Sequence, residues 1–160
     1  MDLHYPDTAS TLAVQQKLFA AHCDLARELN LPLVIHSRDA FEETFEVIKN
    51  YTDLTIYFHC WGYGPNEFHV LHSNFEKVYI GFCGNVTYKN AQAIRDTLAI
   101  VAPEKILLET DAPYLAPQIV RGEINHPANV QYIYEFVAQE LNVSVDMLAE
   151  RIESNFTCVY

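Results

Sequence analysis

Residues 105–117 read KILLETDAPYLAP. Ile106, Leu107 and Leu108 are three apolar residues in a row, the pattern of a short strand buried on both faces. The run passes directly into Glu109, Thr110 and Asp111, and Pro113 then forbids the strand to continue. A buried parallel strand that ends in carboxylates places them at the carboxyl edge of a sheet, where α/β enzymes assemble their sites. An isolated Asp in this position could simply cap a turn. The same event, however, occurs twice earlier. Leu31–His36 (LPLVIH) and Leu54–His59 (LTIYFH) are apolar runs that each end in a histidine.

Working outward, helical and strand patterns alternate. A first helix is expected from about Thr8 to Leu29, with Leu12, Leu18, His22, Leu25 and Leu29 at helical spacing and Asn30 suited to a left-handed stop. After the Leu31–His36 strand, Phe41, Thr44, Phe45 and Ile48 mark one side of a second helix, with Ser37 and Asp39 as cap candidates. The Leu54–His59 strand leads through CWGYGP into a short helix over roughly 65–73, and a strand follows at 77–82. A helix with Ala91, Ile94, Leu98 and Val101 inward precedes the 105–109 strand. A long loop, Thr110 to Asn125, comes next; such loops in compact domains are often functional. Pro127 opens a helix with Val130, Ile133, Val137 and Leu141 as its stripe, and Ser144 caps a last helix running through Ile152. Four strands buried on both faces and alternating with helices define an α/β class with a parallel sheet, either open or part of a barrel.

With 160 residues the chain has the length of one domain, and half its residues are hydrophobic against 19% charged, which excludes a disordered segment. No apolar run approaches the roughly 20 residues needed to span a bilayer, and residues 1–10 lack the basic and apolar regions of a signal peptide. A cytoplasmic protein without membrane partners is expected. Cys23, Cys60, Cys83 and Cys158 lie far apart with no CxxC pair and read as reduced thiols, Cys60 being a minor candidate for a soft metal ligand. The formal net charge of −11, with no basic run, opposes spontaneous attraction to nucleic acid, so a nucleic-acid substrate would need a metal or a local basic spot.

His36 and His59 lie 23 residues apart, the length of one strand-plus-helix unit, so equivalent ends of neighbouring strands would bring them together. Each alone could be a core histidine bonded to backbone; with Asp111 they make a set of imidazole and carboxylate donors suited to Zn²⁺, Mn²⁺ or a similar ion. Asp111 could ligate, or take the proton of an attacking water. Arg38 and Arg121 are candidate anion clamps, with solvated surface arginines as the plain alternative. Tyr114 and Trp61 could stack on a base or simply pack.

The segments LPLVIHSRDAFEET, FHCWGYG, YIGFCGNVTYKNA, ILLETDAPYLAP and RGEINHPANV, in this order and spacing, resemble the TatD family of metal-dependent deoxyribonucleases. The resemblance covers nearly the whole chain. It implies a (β/α)₈ barrel, here a partial TIM-type barrel of about the carboxyl-terminal four β/α units in one domain over residues 1–160. It also implies a divalent cation (Mg, Mn or Zn, possibly two), DNA as the substrate partner, and His36, His59 and Asp111 at metal positions. The family's opening His-x-His strand occurs nowhere in the sequence. Residues 1–5, MDLHY, resemble the end of its GEIGLD-like segment, just past a ligating glutamate. The expectation is therefore a chain in which a further amino-terminal half is a possible partner, with an inactive or split fragment, or an amidohydrolase-like esterase or amidase acting on a small molecule, as alternatives.

Overall fold

A computed structural model describes the backbone of residues 1–160 and all side chains except those of Thr8 and Ala9. Four strands, β1 (Leu33–His36), β2 (Ile56–His59), β3 (Val78–Phe82) and β4 (Ile106–Leu108), pair in parallel in the order β1-β2-β3-β4. Between and around them run α1 (Pro6–Ala9), α2 (Leu12–Leu29), α3 (Phe41–Ile48), α4 (Pro65–Asn74), α5 (Gln92–Ile100), α6 (Val130–Glu140) and α7 (Val145–Val159). Sequential parallel strands, each returned by a helix, build a partial TIM-type barrel rather than a doubly wound sheet, because the strand order never reverses.

The strands form where β-branched and aromatic residues cluster, and Ile35, Ile56, Phe58, Ile80, Phe82 and Ile106 are each at most 1% exposed. Burial of side chains of this size contributes about 1.5–3 kcal/mol apiece. The expected stop at Asn30 forms: its φ is 51° and its amide donates to the carbonyls of Ala26 and Arg27. Ser144 Oγ accepts the Met147 amide at 3.2 Å and starts α7, which continues past Ile152 to Val159.

Two sequence readings change. The helix expected from Thr8 to Leu29 is divided, α1 ending at Ala9 and α2 starting at Leu12. In α2 the residues facing the core are Cys23 and Ala26, with Phe19 packed beside them, whereas Leu18, Leu25 and Leu29 are more than half exposed. Likewise β1 is not buried on both faces: Val34 is 49% exposed while Leu33 and Ile35 are buried. Both departures fall on one side of the sheet, the β1 edge.

Candidate metal centre

The pairing of β1 with β2 aligns His36 with His59, and their ring centroids lie 6.2 Å apart. Glu109 and Asp111 follow the end of β4, two residues apart, and both reach the same imidazole. They grip His59 from its two nitrogens. Nδ1 donates to Glu109 Oε2 at 2.7 Å, and Nε2 lies 3.3 Å from Asp111 Oδ1. The other Glu109 oxygen accepts the Cys60 amide. This bonding with Glu109, opposed by burial and reinforced by the negative charge around it, pushes the His59 imidazole up from 6.5 to about 9. The space for the Glu109 carboxylate comes from Gly81 on β3. A Cβ there would lie 2.5 Å from both Glu109 Oε1 and the Tyr57 hydroxyl.

Backbone geometry at the strand ends is unusual in the same places. Asp39, Cys60 and Asp111 adopt φ of 51°, 50° and 54°, left-handed values that cost non-glycine residues on the order of 1–3 kcal/mol each and tend to cluster at functional sites. The buried Asn125 pins the loop that carries Asp111: its Nδ2 donates to the carbonyls of Thr110 at 2.7 Å and Tyr114 at 2.6 Å. One donor atom each from His59, Cys60 and Asp111 lie within 4.8 Å of one another. The Cys60 thiol is pushed up, first by its contact with the Cys83 thiol and then by burial and the Asp111 charge.

His36 takes a different partner. Its Nε2 donates to Asp2 Oδ2 at 3.2 Å, and residues 1–3 run alongside 36–38 through backbone bonds between Leu3 and Arg38 and between Arg38 and Met1. Burial works to raise the Asp2 carboxyl, but the His4 amide, His36 and Arg38 together hold it below its usual range. Asp2 and Asn125 are polar residues of this neighbourhood that sequence patterning did not single out. Neither lies at a strand end, where the pattern directs attention.

A cavity of about 670 Å³ opens above these groups, lined in part by His36, Arg38, His59, Cys60, Asp111 and Tyr114. Of the sequence candidates, His36, His59, Asp111, Arg38 and Tyr114 therefore share one cavity. Tyr114 stands at its rim, 71% exposed, and the Arg38 guanidinium lies 5.5 Å from the Tyr5 ring. Arg121 is placed elsewhere, its guanidinium 4.1 Å above the Tyr88 ring and outside the cavity lining. Trp61 is not a stacking platform: it is 1% exposed and packs edge-on against Phe58 and Tyr63.

Imidazole, thiol and carboxylate converging on the carboxyl edge of a parallel sheet, beneath an open cavity, define the class: a barrel-type α/β protein with a candidate metal centre. A family model described as TatD related DNase matches residues 1–160, and the chain belongs to the TatD family. It is 36% identical over 161 residues to an uncharacterized metal-dependent hydrolase, YcfH, of Escherichia coli K12, covering 99% of this chain and 60% of that protein. It is 31% identical over 158 residues to the uncharacterized metal-dependent hydrolase YabD of Bacillus subtilis 168, covering 97% of this chain and 61% of the relative. The crystal structure of YJJV, a TatD homolog of Escherichia coli K12, superposes with a TM-score of 0.90 at 23% identity over 100% of this chain and 61% of that one. The chain thus spans about 60% of the length of the curated relatives it matches.

Proposed function

We propose that this chain carries part of the active site of a metal-dependent hydrolase that cleaves phosphodiester bonds in DNA. The observation that carries this reading is the placement of His59 Nε2 against Asp111, with Nδ1 tied to Glu109. Such a position asks for a positive charge between imidazole and carboxylate, and a divalent ion satisfies it as a proton does.

The donor set fits a divalent ion, with His59 and Asp111 holding it and His36 and Cys60 beside them. When bound, such an ion supplies Lewis acidity toward a phosphoryl oxygen and acidifies a water. The rest falls to the chain's own groups. Glu109 fixes the orientation of His59, so that Nε2 faces the cavity. Asp111 takes the proton of the attacking water at a carboxylate oxygen. Arg38 on the cavity wall receives phosphate charge, offsetting the acidic field of the chain, and Tyr114 at the rim offers its ring to a base. Arg121, stacked on Tyr88, lies outside that lining.

A second reading has its own support. The exposed apolar stripe on α2 and the half-exposed β1 edge form a surface that further β/α units would cover, and in this reading the chain is active only when they do. The test is hydrolysis of a DNA oligonucleotide with Mg²⁺, Mn²⁺ or Zn²⁺, run on the chain alone and on the chain co-expressed with the first 40% of a relative. Metal-dependent cleavage in either supports the hydrolase, and cleavage only in the second supports the completed barrel. Turnover of p-nitrophenyl esters with intact DNA would overturn the nuclease reading in favour of a small-molecule esterase.

A further inference from the structure

We propose that Cys60 and Cys83 form a thiol–disulfide pair on the floor of the cavity, taking small-molecule disulfides as oxidant and dithiols as reductant. Each is the first residue past its strand, Cys60 after β2 and Cys83 after β3, and the two strands are neighbours in the sheet. Their sulfurs lie 2.6 Å apart. This contact is held from both sides. The left-handed turn at Cys60 is fixed by its amide bond to Glu109. The Cys83 thiol donates to Asn85 Oδ1 at 3.2 Å, and Asn85 Nδ2 donates to the Trp61 carbonyl at 3.0 Å, tying the two segments together.

Exposure assigns the roles. Cys60 lines the cavity and meets the reagent, whereas Cys83 is 0% exposed and meets only Cys60. Cys60 gives its proton to solvent across the cavity and attacks one sulfur of the small disulfide, slowly because its neighbours favour the protonated thiol; that S–S bond breaks, and one small thiol leaves with a proton. Cys83 then attacks the Cys60 sulfur of the mixed disulfide, the second small thiol leaves, and the Cys60–Cys83 bond closes. The protein loses two electrons and two protons, and one small disulfide becomes two thiols. Oxidation removes the thiol donor from the group of His59, Cys60 and Asp111. The pairing itself does not depend on the proposed hydrolysis.

The experiment treats the folded chain with a glutathione disulfide buffer, quenches in acid, alkylates remaining thiols in denaturant and maps the peptides. The expected result is a linked peptide joining Cys60 to Cys83, with these two thiols lost beyond any glutathionylation of Cys158, alkylation of the core residue Cys23, and full reversal by dithiothreitol. The exposed Cys158 serves as the reactivity control. With Cys83→Ser, Cys60 should instead accumulate as a stable glutathione adduct. Recovery of both Cys60 and Cys83 alkylated while Cys158 is glutathionylated, or links from either to Cys23 or Cys158, would overturn the proposal; the wild-type map decides this even if the variant fails to fold.

Discussion

Replacing Glu109 with Gln tests the inner half of the site directly. The substitution keeps the size of the side chain and an oxygen to accept the Cys60 amide, but removes the charge that holds His59. A rise of the His59 pKa from 6.5 to about 9 corresponds to about 3 kcal/mol of preference for the imidazolium in the folded chain. Both side chains of the pair are at least three-quarters buried, so solvent screening takes only part of this. The folded pKa lies above the unfolded one; the stabilisation is therefore complete below pH 6.5 and is lost as pH climbs through about 9. Wild type should exceed Glu109→Gln in stability most strongly near and just below pH 6.5, with the gap closing toward pH 9. Nuclear magnetic resonance of the imidazole protons gives the pKa itself, and urea melts across this range give the gap. In the variant, His59 should titrate well below its wild-type value, Asp111 supplying what remains of the rise. A wild-type His59 titrating near 6.5, or a gap independent of pH, would refute the reasoning.

Other outcomes follow from the same geometry. Gly81→Ala should displace the Glu109 carboxylate and lower the His59 pKa in the same resonance titration, without touching either residue's identity. In a preparation that hydrolyses DNA, Asp111→Asn should reduce the rate by about 10²-fold or more, the scale of a lost general base, and near-wild-type turnover would show that another group takes the proton. Isothermal calorimetry of the chain alone should show Mn²⁺ and Zn²⁺ bound more weakly than micromolar, since His59 and Asp111 leave most of a divalent ion's coordination to other donors; submicromolar binding would contradict this. Sedimentation should show self-association through the α2 stripe, relieved by Leu18→Glu with Leu25→Glu, two exposed positions where charge costs the fold little; a clean wild-type monomer at micromolar concentration would count against it.

What the sequence made legible follows from what strand ends do. His36, His59 and Asp111 could be placed together because a parallel sheet brings equivalent strand ends to one edge, and that topology needs only the alternation of elements. A period of two was expected to put Glu109 on the same side as Asp111; both do reach His59, but past the end of β4 and through a left-handed turn at Asp111, not by the pleat. The thiol pair was legible by the same arithmetic and overlooked: Cys60 and Cys83 are 23 residues apart, the spacing that aligns His36 with His59. Covering surfaces were not legible. Leu18, Leu25 and Leu29 announce an apolar stripe on α2, but periodicity does not say which body the stripe meets, and in this chain Cys23 and Ala26 face the core instead. That Arg121 stacks on Tyr88 outside the cavity lining and that Trp61 is buried were not legible for a related reason. A loop's path and a ring's burial depend on contacts that no local pattern encodes.

The site's donors are held by the protein's own bonds. Cys60 and Asp111 sit in left-handed backbone that a free chain rarely adopts, and each is fixed by a partly or wholly buried polar neighbour, Cys60 by Glu109 and Asp111's loop by Asn125. Those neighbours in turn lean on Gly81 and on the carbonyls of Thr110 and Tyr114, none of which carries a charge that an ion would attract. Such an arrangement separates two quantities that metal sites often entangle. The positions of His59 and Asp111 are set by the fold of these four β/α units, whereas the affinity for an ion depends on how many further donors reach it. Weak binding by this chain would then reflect too few donors around a formed site rather than a site that forms only with metal. The titration of His59 reads the first quantity and calorimetry reads the second, so the two measurements need not move together.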